Sequence, residues 1–194
     1  MALPQPEKRF DAVAYLAWEE TQTERHEYIA GEVFAMVGVR QVHNLATLNL
    51  YSCLRRALHG SPCRVFVEAV KARVEAADCF FYPDVVVTCD ARDRLTPEYV
   101  SHPLLVAEVL SESTAAFDRG RKFAAYRKLD SLQDYVLIDL AVQRVEVFRR
   151  DPQNHWVLYD YGRGDSVEIA SLGLQMSVDE LLEDTREDEV AVSP

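Results

Sequence analysis

The sequence predicts an α/β (α+β) domain, a mixed central sheet flanked by helices. Three observations lead there. The run Val85-Val86-Val87 and the nearly all-apolar segment 104–110 read as central strands covered on both faces. Apolar positions three or four residues apart over 43–59 read as one face of an amphipathic helix. Helical and strand patterns then recur along 194 residues, a length that fits one domain.

Asp11 reads as the N-cap of a first helix, with Val13, Leu16 and Trp18 at helical spacing and an end near Thr21. Two short β-prone runs around Ala30-Gly31 read as a hairpin. The second helix presents Leu45, Leu48, Tyr51, Leu54 and Leu58, and Gly60 and Pro62 stop it. Strand patterns follow over 64–75, 80–88 and 104–110, the last two joined by a polar stretch with room for a short helical turn. Residues 118–129 read as a helix with Phe123, Tyr126 and Leu129 on one side. Strands are expected over 134–140, 142–149, 154–161 and 166–170. Ser177 with Glu180 forms a capping-box pattern that opens a last short helix. One domain over 1–183 is expected, with a disordered acidic tail over 184–194.

No apolar run approaches the roughly 20 residues of a membrane helix, and the N-terminus lacks the apolar core of a signal peptide. A cytoplasmic protein is therefore expected, and Cys53, Cys63, Cys79 and Cys89 read as free thiols, none at zinc-ligand spacing. The net charge of −11 argues against a protein that coats nucleic acid. That charge is uneven. Residues 179–194 hold seven acids and one base, whereas 119–128 hold five bases and no acid. A basic patch on an acidic protein is therefore expected.

Two carboxylates occur where carboxylates are costly. Asp84 opens an apolar strand after Tyr82-Pro83, and Glu108 lies inside Leu104–Leu110, sharing its face with Val106 and Leu110. An acid there must face solvent, pair with a cation or bind a metal. Strand alternation alone accounts for Asp84 but less well for Glu108. Adjacent strands lie about 4.8 Å apart, so the two acids can share one divalent ion. Lys122 follows on the next helix and can point an ammonium at them. No GxGxxG, P-loop or GxSxG pattern is present.

Four motifs in order carry a resemblance: Tyr82-Pro83-Asp84; Glu108-Val109-Leu110-Ser111; Asp118, Lys122 and Tyr126 at four-residue spacing; and Asp134-Tyr135 with Asp139. With His26-Glu27-Tyr28, Gly31-Glu32 and His43, they resemble the bacterial putative restriction endonuclease family of the PD-(D/E)XK nuclease superfamily, over roughly 10–183. The resemblance implies a restriction-endonuclease-like fold. It also implies a hydrolase, an Mg²⁺ or Mn²⁺ endonuclease, with Asp84, Glu108 and Lys122 as catalytic residues and Asp84 and Glu108 as metal ligands. Glu32 is the expected third ligand, Glu27 the alternative, and His43 a supporting residue. The superfamily lysine two residues after the second acid is Leu110 here, and the resemblance implies that Lys122 replaces it.

Two functions are in contention. One is a metal-dependent nuclease acting on DNA, with Arg119, Arg121 and Arg127 available to phosphates. The other is a catalytically inactive binding module that keeps the fold, motivated by Leu110 and the acidic surface. A homodimer is also expected, with Val145, Val147, Trp156, Val157 and Tyr159 as core or contact surface.

Overall fold

Sheet formation follows the β-branched runs. The computed structural model describes residues 10–36 and 38–186. Its strands are β1 His26–Ile29, β2 Glu32–Ala35, β3 Arg64–Val67, β4 Lys71–Val74, β5 Cys79–Phe81, β6 Val85–Thr88, β7 Tyr99–Val100, β8 Leu105–Leu110, β9 Asp134–Asp139, β10 Arg144–Arg150, β11 Trp156–Gly162, β12 Ser166–Ile169 and β13 Leu174–Ser177. The helices are α1 Ala12–Glu19, α2 Gln41–Ala57, α3 Ala115–Phe117, α4 Phe123–Tyr126 and α5 Val178–Leu181. A π turn, Asp118–Lys122, joins α3 to α4. One sheet runs β2-β1-β5-β4-β7 and the larger β11-β10-β9-β8-β6-β3, with β12 and β13 as a separate hairpin. Parallel β8/β9 pairing in an otherwise antiparallel larger sheet makes it mixed, as expected.

β8 is buried at every position and sorts its side chains by parity. Leu105, Ala107 and Val109 pack in the cluster containing α2 and α5 residues, and Val106 and Leu110 in the cluster containing α4 residues. Full burial of one such aliphatic side chain contributes about 1.5–3 kcal/mol. A third cluster, Tyr15, Tyr28 and Phe80, seats α1 on the smaller sheet.

The Asp11 cap forms, its carboxylate accepting from the Ala14 N–H at 2.7 Å. The hairpin turns through Ala30 and Gly31, both at positive φ (49° and 97°), as a two-residue turn matched to strand twist requires. Ser177 caps α5, but Glu180 pairs with Arg56 rather than completing a capping box.

Several expectations need correction. The strand over 64–75 is two strands in different sheets, because Glu68 turns the chain at φ 54°. The strand over 80–88 likewise divides at Pro83, which has no N–H for a ladder. The buried face of α2 is His43, Ala46, Thr47, Leu50, Cys53 and Leu54, while Leu45 and Leu48 are exposed. The helix expected from 118 begins at Ala115.

Cys63 and Cys89 are not free thiols but a disulfide. The Arg64–Thr88 pairing places them opposite each other one step beyond the ladder. Cys53 and Cys79 are free and buried. Of the expected contact surface, Val145 and Val147 are core, Trp156 packs edge-on to Phe123, and Val157 and Tyr159 are exposed on the edge strand β11. Of the expected tail, 187–194 lie outside the described residues, whereas Thr185 is buried and its hydroxyl donates to the Leu182 carbonyl. No described helix is long and apolar enough to cross a membrane.

Candidate active site

The site forms where both sheets meet the π turn. Val86 pairs with Val106 and Val85 with Ala107, and the ladder ends there, with Asp84 and Glu108 the next residues on the two strands. Glu108 lies on the α4 side of β8 with Val106 and Leu110, and its carboxylate meets Lys122. Asp84 is anchored at both ends of the residue. Its carbonyl accepts from the Glu68 N–H at 3.0 Å, and its Oδ2 accepts from the Val109 N–H at 2.7 Å. His43 of α2 brings Nε2 to 3.3 Å from the same Oδ2.

Lys122 is buried and is the hub of the cluster. Its Nζ lies 2.9 Å from Glu108 Oε1, 3.1 Å from Glu27 Oε1 and 3.6 Å from Asp118 Oδ1. The Tyr126 hydroxyl donates to Glu108 at 3.3 Å, and the Tyr82 N–H donates to Glu27 at 3.3 Å. The Tyr135 hydroxyl donates to the Asp118 carbonyl at 3.0 Å, tying the π turn to β9.

Electrostatics set the protonation. Burial pushes the Glu108 carboxyl well above its ordinary value; Lys122 opposes this, and Asp118 and Asp84 add to it. Asp118 is also raised by burial, against Lys122. Burial would lower Lys122, but Glu108, Glu27 and Asp118 outweigh it and the ammonium is held charged. His43 is raised in the same way, burial being outweighed by its hydrogen bond to Asp84 and the Asp84 charge. Three acids stand around this one ammonium, and burial disfavours the charged form of two of them, Glu108 and Asp118.

A group whose folded value is raised contributes stability below its unfolded value and loses it as pH rises through the folded one. Glu108→Gln is therefore expected to melt with the wild type at about pH 4, and at increasingly higher temperature than wild type toward about pH 8. Calorimetric melts of the metal-free proteins check this. A wild type more stable than the variant at the upper end would make Glu108 an ionised partner of Lys122.

Sequence reasoning and geometry part at two residues. Glu32 is exposed at the turn end of the hairpin, opposite Ile29, and it is Glu27 that reaches Lys122. The hairpin register decides this, and composition carries no sign of it. Asp118, which the sequence offers only as part of the motif with Lys122 and Tyr126, joins the site, and its position one helical turn before Lys122 is the visible signal.

Oxygen-rich carboxylate clusters suit hard divalent ions such as Mg²⁺ and Mn²⁺. Among the described residues, no three His, Cys, Asp or Glu side chains stand in a ligating arrangement. The physical reason is Lys122, whose ammonium stands between Glu108 and Glu27. The carboxylate donors are of the type a hard divalent ion takes, with Glu108 and Glu27 on Lys122 and Asp84 on His43 and the Val109 N–H.

A family model described as "Uma2: Putative restriction endonuclease" matches residues 12–179. An uncharacterised protein of Synechocystis is 36% identical over 165 residues, covering 85% of this chain and 87% of its own. A second from the same organism is 35% identical over 165 residues, covering 84% and 92%. The crystal structure of a protein described as a putative nuclease belonging to DUF820, from Anabaena variabilis, superposes with a TM-score of 0.73 at 20% identity, over 89% of this chain and 97% of that one. That likeness is one of fold.

Proposed function

The chain belongs to the Uma2 family, described as putative restriction endonucleases, and on that premise we propose that it is a divalent-metal-dependent nuclease hydrolysing DNA through Asp84, Glu108 and Lys122. The observation that carries this reading is the buried Lys122 ammonium held between Glu108 and Glu27, with Asp84 bonded to the neighbouring Val109 N–H. So many buried charges in a small core are costly, and a fold retains them where they act.

Asp84 and Glu108 would hold Mg²⁺ or Mn²⁺, with Glu27 rather than Glu32 as the additional carboxylate. A bound ion supplies polarisation of the scissile phosphate and a lowered pKa for an attacking water. The chain's own residues do the rest. The Val109 N–H and His43 fix the Asp84 carboxylate in one orientation. Lys122 donates hydrogen bonds to phosphate oxygens as charge develops there, and its burial spares it the cost of shedding water. Tyr126 holds Glu108 and limits its rotation. Arg119 is engaged by Asp139 and Glu146 and serves the fold. Arg121 and Arg127 are exposed and open to phosphates. The reading includes a cytoplasmic protein pairing as a homodimer over the exposed edge of β11.

The inactive binding module is favoured by one observation, the absence of a ligating trio among the described residues. Cleavage decides between them. Pure protein is expected to nick supercoiled plasmid with Mn²⁺ or Mg²⁺ and to stop in EDTA. Binding of DNA without cleavage under any divalent ion would establish the module instead.

A further inference from the structure

A recess adjoins the Lys122 cluster, Phe81 belonging to both. It has a volume of about 250 Å³, below the roughly 300–1,000 Å³ of clefts that enclose a whole small molecule. It therefore suits one flat group of a larger ligand. Ile29, Cys79 and Phe81 line it with Phe117, and Arg121 and Lys128 stand at its edge. Among the described residues lining it there is no acid, in a chain of net charge −11.

Three features connect this recess with the site. The Phe81 ring belongs to both, its centroid 5.7 Å from Lys122 Nζ. Ile29 is two residues along β1 from Glu27, on the same strand face, about 6.6 Å away. Phe117 and Arg121 immediately precede Asp118 and Lys122 in the chain. Phe81 and Phe117 meet edge to face, with centroids 6.3 Å apart. Arg121 is exposed and makes no ion pair among the described residues. Lys128 spends one N–H on the Ala76 carbonyl at 3.3 Å, and an ammonium has three to give.

From this juxtaposition we infer that the recess is a nucleotide subsite, taking one unstacked base of a single-stranded polynucleotide against the half-buried Phe117 ring, over a floor that includes the buried Phe81, while Arg121 and Lys128 hold the adjoining phosphates. The inference rests on the nuclease reading and narrows its substrate to single-stranded or locally opened nucleic acid. A fully stacked duplex has no free base face to offer. Aromatic walls with cations at the edge are the means by which single strands are held without sequence readout.

The test is binding by the full chain in EDTA, which separates it from cleavage. The probe is a short fluorescein-labelled single-stranded oligodeoxynucleotide, read by anisotropy beside its duplex form and an abasic chain of equal length. Ala124 lines the recess and is exposed, so Ala124→Leu fills the space without disturbing the core and adds no ring for a base to stack on. Wild type is expected to prefer the single strand to the abasic chain by about tenfold, and Ala124→Leu to lose that preference. Arg121→Gln with Lys128→Gln is expected to lower the salt slope by about 0.7 for each phosphate no longer held. Unchanged preference in Ala124→Leu, or no binding by wild type, overturns the inference. Preferential binding without cleavage in Mn²⁺ leaves the subsite standing and removes the nuclease reading. Cleavage with equal preference for all three probes does the reverse.

Discussion

Lys122→Met will lower the stability of the metal-free protein by about 3–5 kcal/mol, the usual loss when one member of a buried ion cluster is removed. Lys122 is 5% exposed and touches Glu27, Glu108 and Asp118. Methionine fills the volume and supplies no charge, so three acids keep their burial and lose their counter-ion. Glu108 and Asp118 then hold protons more tightly, which recovers part of the loss. Urea unfolding with and without Mn²⁺ measures it. A divalent ion brings positive charge to the same acids, so the deficit is expected to shrink when Mn²⁺ is present. A variant within about 1 kcal/mol of wild type without metal would show that Lys122 does not balance these carboxylates. Any activity assay of Lys122 variants must therefore be run well below their melting temperatures.

Asp84→Asn will reduce Mn²⁺-dependent plasmid cleavage by about a hundredfold or more, the scale set by removing one fixed electrostatic interaction with the reacting group. Asparagine keeps an oxygen for the Val109 N–H, so the strand junction survives and the melting temperature is expected to hold. What goes is a full negative charge from the side chain nearest solvent among the acids proposed as metal ligands. Calorimetric titration with Mn²⁺ should show weaker binding in parallel with the reduced cleavage. Undiminished cleavage by the variant would place the metal elsewhere. Weak binding with normal cleavage at saturating Mn²⁺ would make Asp84 a ligand of no further consequence.

The strands and helices legible in the sequence are those whose pattern is local. Val85–Val87 and Leu105–Leu110 are dense enough to read as central strands, and Asp11 carries its own capping chemistry. The parity of Val106, Glu108 and Leu110 along β8 is legible for the same reason. What escapes depends on partners far along the chain. Glu68 and Pro83 switch sheets, and a residue's sheet is set by the strand it pairs with rather than by its own pattern. Cys63 meets Cys89 only through the β3/β6 register. Likewise Glu27 reaches Lys122 from far along the chain, whereas Glu32, on the same hairpin, does not. Asp118 is the exception, since its spacing from Lys122 needs no tertiary knowledge to be seen.

The chain passes between the sheets at Glu68–Val70 and again at Tyr82–Asp84, and these passages are bonded to each other through the Glu68 N–H and Asp84 carbonyl. A pair of crossing strands tied together behaves as the fulcrum of the two slabs they join. Asp84 lies on it, and Glu27 is held against it by the Tyr82 N–H. Both acids are thus tied to the joint between the sheets rather than to either sheet's free edge.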